Sequence, residues 1–202
     1  MPTSGRLLIF KVQPKLCRLQ LIQSFPQGGA VTSIGTLLAN HKYLALAINN
    51  RIDLYLFNLR YGDNFDLVLQ DQRTAGTYTQ TVKTCGSQIV VGDLMKGLIV
   101  LDIKEHNHLP QSRANGGRAT LSEGPSSSHC NVWVNDVLIL AINRYLVVDK
   151  ERNILIFERQ MHPTNEIERF KLRTVSQINY GEEITSAVLG SLTTKASSGT
   201  GP

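Results

Sequence analysis

Short apolar segments separated by polar turns run along most of the chain, and no long stretch repeats its apolar positions every 3.6 residues. Short runs of Val, Ile, Leu, Tyr and Phe between Gly, Asn, Asp and Lys turns are typical of β-strands joined by hairpins. The pattern therefore predicts an all-β protein. The predicted strands are 6–12, 17–25, 30–38, 43–48, 52–57, 65–72, 79–84, 88–92, 98–103, 133–140, 145–148, 154–158, 170–180 and 184–189.

Three segments share one pattern, in which an apolar strand, a polar turn and a second apolar strand follow each other. When Tyr43, Gln88 and Tyr145 are aligned, the repeats are separated by about 45 and about 57 residues, and propeller blades repeat every ~40–50 residues. The chain is therefore predicted to hold about three blades of a β-propeller. A propeller closes with ~4–8 blades, so the remaining blades are expected from other parts of a longer polypeptide or from an oligomer.

Two segments differ in composition from the rest. In residues 107–129, Gly, Ser, Pro and Asn crowd together and apolar residues are few, which predicts a long solvated loop inserted between the second and third repeats. The end of the chain, TTKASSGTGP, has the composition of a linker. The predicted organisation is a partial propeller over residues 5–192 and a disordered tail over residues 193–202.

Composition argues against several classes of protein but does not indicate one function. No run of apolar residues reaches the ~18–20 needed to cross a membrane, so no membrane contact is expected. Three widely spaced cysteines, Cys17, Cys85 and Cys130, argue against disulfides and zinc pairs and are interpreted as reduced, packed thiols. The formal charge of +5 permits acidic partners, but the basic residues are scattered, as on any solvated strand surface.

No arrangement of residues indicates catalysis. The nucleophile, phosphate-loop and dinucleotide motifs are absent from the sequence. Asp93 is interpreted as a turn cap, and His106 and His108 as solvated loop residues rather than metal ligands. The charged turn Lys150–Arg152 is read as an ordinary hairpin, with a small anion site as the alternative. We therefore expect a protein that is not an enzyme and binds neither metal nor cofactor.

The single tryptophan, Trp133, begins an apolar segment directly after the predicted loop. It is either a core residue or an aromatic anchor at the rim of a blade. The sequence alone favours the core.

Several strings together resemble a known family: GRLLIF, RLQLIQSFPQGGAVTSI, ALAINNRIDLYLF and QIVVGDLMKGLIVL, in this order and spacing. They are similar to the third-propeller region of the damaged-DNA-binding adaptors, the large subunits of damage-recognition complexes and adaptors of cullin-4 ubiquitin ligases. The wider family includes the large subunit of the cleavage and polyadenylation factor. The resemblance covers about residues 5–192, and the string VGDLM is its most specific part. It departs at SEGPSSSHCNV, the string directly before and including the residues that lead into Trp133.

The resemblance implies a WD40-like, seven-bladed propeller and a scaffold that acts by protein contact in ubiquitin ligation and DNA repair. Its implied partners are substrate-receptor proteins of a cullin-4 ligase and the remaining propellers, with DNA contacted mostly through partners. It implies a nuclear and also cytoplasmic protein. The residues matching the family's partner-binding wall are Asn49, Lys96 and Trp133, expected to meet a helical motif of a receptor.

Two alternatives stay open at this point. One is an RNA-processing scaffold of the polyadenylation or splicing type. The other is an unrelated propeller that binds nucleic acid with a basic rim, in which case its binding would weaken strongly with salt.

Overall fold

The computed structural model describes residues 5–38, 43–59, 65–106, 118–127, 130, 132–160, 162 and 165–190. Strands dominate this part of the chain, with one 3-10 turn at Pro14–Leu16 and one short helix, α1, at Glu166–Arg169. The strands are β1 Gly5–Gln13, β2 Arg18–Gln27, β3 Val31–Leu38, β4 Tyr43–Ile48, β5 Arg51–Leu59, β6 Phe65–Thr74, β7 Thr79–Cys85, β8 Gln88–Asp93, β9 Gly97–His106, β10 Arg118–Ser126, β11 Val134–Ala141, β12 Arg144–Asp149, β13 Asn153–Arg159 and β14 Leu172–Asn179.

The strands form three antiparallel sheets of four and one hairpin. Sheet order follows chain order, with β3–β6 in the first blade, β7–β10 in the second and β11–β14 in the third, while β1 pairs with β2. The first strands of the blades, β3, β7 and β11, lie next to one another. Consecutive four-stranded meanders packed through their innermost strands are the architecture of a propeller. The predicted all-β, partial propeller is thus confirmed.

The blades pack face to face through two apolar clusters. One joins the first and second blades and the other joins the second and third. Strand β8 explains the uninterrupted apolar runs of the sequence, because Ile89 and Val91 belong to the first cluster while Val90, between them, belongs to the second. A strand buried on both faces needs apolar residues at every position.

The hairpin of β1 and β2 covers the other face of the first blade. Leu7 packs there with Leu46 and Ile48, and the Tyr55 hydroxyl lies 3.2 Å from the Gln27 side-chain oxygen, to which it donates. The hairpin gives the first blade an apolar neighbour on the face turned away from the second blade.

The long loop predicted for residues 107–129 is wrong over part of its length, because β10 occupies Arg118–Ser126 and pairs with β9. Ala119 and Leu121 are fully buried. The pairing is irregular between Glu123 and Ser126, where Pro125 lies. An outermost strand with an irregular step accommodates a proline that an inner strand would exclude. Residues 107–117 and 128–129 lie outside the described residues, as does the predicted tail over residues 193–202.

The strand predicted at 184–189 is also wrong, although the segment makes hydrogen bonds to the innermost strand of the third blade. The Ser186 hydroxyl and the Ala187 N–H donate to Asp136 Oδ2 at 2.9 and 3.0 Å. A similar contact joins the first two blades, where the Val82 N–H donates to the Ser33 hydroxyl at 3.0 Å. The segment lies beside β11, but in the described part of the chain no strand pairs with it. It therefore lacks the ladder of hydrogen bonds that defines a strand.

None of the helices in the described part of the chain has the length and apolar character needed to cross a membrane.

Candidate partner-binding site

In each of the three blades, the turn between the second and third strands lies at the same end of the sheet. We call the surface formed by these turns the rim face. These turns are Asn49–Asn50, Leu94–Lys96 and Lys150–Arg152. Hydrogen bonds between turns and neighbouring segments fix this arrangement: the Thr79 N–H donates to the Asn49 carbonyl at 2.8 Å and the Lys150 N–H to the Trp133 carbonyl at 2.9 Å. The opposite face carries the turns Gly86–Ser87 and Ile142–Asn143.

Asn49 is exposed at the start of the first rim turn. Its φ of 56° lies in the left-handed region, which asparagine tolerates better than most residues. Its N–H donates to the Ala30 carbonyl at 3.2 Å. A Cβ atom on Gly29 would lie 2.8 Å from Asn49 Nδ2, so the glycine leaves room for this side chain. The backbone therefore holds Asn49 in place on the rim.

Lys96 is exposed at the end of the second rim turn, and Asp93 holds that turn. Asp93 Oδ1 accepts hydrogen bonds from the Lys96 N–H at 2.8 Å and the Met95 N–H at 3.0 Å. Its other oxygen accepts from the Thr77 and Tyr78 N–H groups, both at 2.8 Å. Burial raises the pKa of Asp93, but the hydrogen bonds from Thr77, Met95, Lys96 and Tyr78 outweigh it and the pKa is lowered. The interpretation of Asp93 as a turn cap is confirmed.

Trp133 is 48% exposed, so the interpretation of this residue as part of the core is wrong. Its neighbours Val132 and Val134 are buried in the cluster between the second and third blades. The chain crosses there from the outermost strand of one blade to the innermost strand of the next, and Trp133 points away from the apolar side. The sequence alone could not show whether Trp133 faces the apolar cluster or the solvent. The residue lies before β11 begins, so the alternation of buried and exposed positions along that strand does not reach it.

All three candidate residues, Asn49, Lys96 and Trp133, therefore belong to the rim face and are exposed. Lys150 and Arg152 in the third rim turn are also exposed, and they add positive charge to the rim face. The rim thus combines an amide, basic groups and a large aromatic side chain. Such a mixture suits protein contact, because aromatic and basic residues supply much of the energy of protein interfaces.

The described residues show no arrangement suited to metal binding, since they contain no cluster of three His, Cys, Asp or Glu side chains. His106 Nε2 is within 2.9 Å of the Thr120 hydroxyl, while His108 lies outside the described residues. All three cysteines are free, and Cys17 is exposed rather than packed. The oxygens of Asp93 are taken up by hydrogen bonds that hold a turn, which leaves this carboxylate without a catalytic geometry.

Comparison with known proteins gives a consistent set of relatives. Residues 1–200 match the family model described as the CPSF A subunit region. The chain is 32% identical over 191 residues to DNA damage-binding protein 1a of Arabidopsis thaliana. It is 31% identical over 192 residues to DNA damage-binding protein 1 of Solanum lycopersicum and 30% identical over 191 residues to that of Oryza sativa subsp. japonica.

These alignments are unequal in coverage. Each takes in 95% of this chain and 16% of the relative. The chain therefore spans about a sixth of the length of the relatives that it matches.

Proposed function

Because the chain belongs to the CPSF A subunit region family, we propose that it is a non-enzymatic scaffold that binds substrate receptors of a cullin-4 ubiquitin ligase through its rim face. The proposal extends to a role in the recognition and repair of damaged DNA, in the nucleus and also in the cytoplasm. DNA is contacted mostly through the partners, and the remaining propellers are supplied by further polypeptide.

The observation that carries this proposal is the placement of Asn49, Lys96 and Trp133 on one face. Three residues that are distant in the sequence are brought to one edge of adjacent blades by equivalent turns and by the crossing before β11. An exposed tryptophan keeps a large apolar area in contact with water. A partner that covers the ring removes this area from water, which favours binding. A receptor helix laid across the turns would contact the apolar ring and the amide and ammonium groups together.

A pull-down with purified substrate receptors tests the proposal. The bait is the tagged chain with Asn49, Lys96 and Trp133 all replaced by alanine, and we expect its receptor affinity to fall at least about thirtyfold, since one anchor residue is commonly worth ~2 kcal/mol or more. The control replaces Gln20, Lys11 and Phe10 by alanine. These are an amide, a lysine and an aromatic that are exposed on the hairpin of β1 and β2, away from the rim turns.

The control should bind receptors like the unmodified chain. Undiminished binding by the rim variant, with both variants folded by circular dichroism, would refute the proposal.

A second candidate function is favoured by the match to the CPSF A subunit region, together with the resemblance of the sequence to a family that includes the large subunit of the cleavage and polyadenylation factor. An RNA-processing scaffold would use the same basic rim for nucleic acid. Binding of a single-stranded RNA by the chain alone, weakening steeply between low and physiological salt, would favour that function over receptor binding.

A further inference from the structure

A polar cleft opens on the opposite face, between the second and third blades. Its volume is about 570 Å³, which is within the ~300–1,000 Å³ range of ligand pockets. Side chains from both blades and from the segment that leads into β14 enclose it. The lining residues are Gln88, Asp102, Ile142, Asn143, Arg159, Gln160 and Arg169.

Four of the lining residues are held by hydrogen bonds, and we call this set, Gln88, Asp102, Asn143 and Arg159, the floor of the cleft. Asp102 and Arg159 form an ion pair between the two blades. Arg159 donates to both oxygens of Asp102, at 2.9 and 2.8 Å, and the side chains are only 22% and 24% exposed. A two-pronged arginine–carboxylate pair is directional and strong. Because the pair neutralises itself, it supplies a fixed surface and leaves no net charge on the floor.

A second set of bonds holds the neighbouring amides. The buried Tyr145 hydroxyl donates to Gln88 Oε1 at 3.0 Å, and Gln88 Nε2 donates to Asn143 Oδ1 at 3.1 Å. The Arg159 N–H donates to the Asn143 carbonyl at 2.9 Å. The cleft is therefore ordered before a ligand arrives, which lowers the entropy that binding must overcome.

The upper wall differs from the floor. Arg169 ends helix α1 and is exposed, and none of the ion pairs found among the described residues involves it. Ile142, another lining residue, has 74% of its surface exposed. One cation, an apolar edge and ordered amides thus line a single opening.

We propose that this cleft binds a short acidic peptide segment of a protein partner. A ligand carboxylate pairs with Arg169, an apolar ligand side chain covers Ile142, and the ligand backbone meets the amides of the floor. The volume exceeds what a single carboxylate would fill. A nucleic acid fits less well, because phosphate recognition uses several cations along the backbone, whereas the floor here is neutral.

This site is independent of the proposed function, since it lies on the face away from Asn49, Lys96 and Trp133. One partner could engage both faces only by wrapping around the blades. Failure of one proposal is therefore distinguishable from failure of the other.

The probe for the test is a fluorescein-labelled pentapeptide, Gly-Asp-Leu-Asp-Gly, followed by fluorescence anisotropy with the full chain. We expect saturable binding that Arg169→Gln weakens about three- to tenfold, as for the loss of one partly solvated charged contact. Arg173→Gln is the matched control, because it removes the same charge from β14 outside the cleft, and it should change affinity less than about twofold. The rim-face triple variant should bind the probe normally.

Absence of saturable binding would overturn the proposal. Equal binding of a peptide with Asn in place of both Asp residues would also overturn it, as would equal losses in the two arginine variants.

Discussion

Asp136 joins the second blade, the third blade and the segment after β14, so its removal should loosen all three. Its Oδ1 accepts from the Val137 N–H at 2.8 Å and from the Thr81 hydroxyl at 3.1 Å. Its Oδ2 accepts from the Ser186 hydroxyl and the Ala187 N–H. The side chain is 8% exposed, and Lys83 Nζ lies 3.5 Å away. We predict that Asp136→Ala lowers the free energy of unfolding by about 2–4 kcal/mol.

The magnitude follows from the donors that the substitution leaves behind. The buried Val137 N–H loses its acceptor, and a buried donor without a partner costs ~1–3 kcal/mol. The Ala187 N–H is only partly buried and can bind water instead, so it costs less. The Thr81 and Ser186 hydroxyls can rotate toward other acceptors, so they add less. Lys83 is 40% exposed and remains hydrated, so the lost ion pair contributes little.

Acid provides a second readout of the same contact. Burial raises the pKa of Asp136, but hydrogen bonds from Ala187, Val137 and Ser186 and the charge of Lys83 together lower it. A lowered pKa in the folded state means that the carboxylate contributes stability above its pKa in the unfolded chain, and that this stability is lost as the pH falls through the folded value. The Asp136→Ala variant should therefore lose less stability on acidification than the unmodified chain.

Urea unfolding followed by far-UV circular dichroism measures both effects. The midpoint should fall while the dependence on urea stays unchanged. Glu182→Gln, which removes an exposed carboxylate near the same segment, is the control and should shift stability by less than about 0.5 kcal/mol. If Asp136→Ala is no more destabilising than this control, the hydrogen bonds of Asp136 do not hold these segments together.

Three further outcomes are expected. Gly29→Ala should weaken receptor binding, because the added Cβ would lie 2.8 Å from Asn49 Nδ2, whereas Gly28→Ala meets no atom within 4 Å and should bind normally in the same pull-down. Burial raises the pKa of Tyr145 to about 12, so the free energy of unfolding should hold up to about pH 9 and fall between about pH 10 and 12. Urea unfolding at the two ends of this range should show a smaller fall for Tyr145→Phe. Thr79→Val should raise the unfolding free energy by up to about 1 kcal/mol, because the buried Thr79 hydroxyl has no hydrogen-bond partner among the described residues; a clear loss would contradict this.

The sequence predicts the blade hairpins well, because their pattern depends on burial at every position. The strand at Tyr43–Ile48 is predicted to the residue, since both of its faces lie between apolar layers. Composition misleads at β10, whose Gly124 and Pro125 resemble a loop. Only pairing with β9 and burial of Leu121 against the first blade reveal it as an outermost strand.

Features that depend on distant neighbours could not be predicted from the sequence. The segment 184–189 has strand-forming residues, but pairing partners decide whether a strand exists. The exposure of Trp133 depends on which side of a crossing faces the cluster between blades. The network around Asp136 joins residues about fifty positions apart, and no local pattern indicates it.

Hydrogen-exchange mass spectrometry of the chain, with and without a bound substrate receptor, measures whether the receptor binds the rim face. Backbone amides should gain protection around the turns Asn49–Asn50, Leu94–Lys96 and Lys150–Arg152 and around Trp133. The outermost strand β14 should exchange as it does in the free chain. Protection confined to β14 or to the turns Gly86–Ser87 and Ile142–Asn143 would show that the receptor does not bind the rim face.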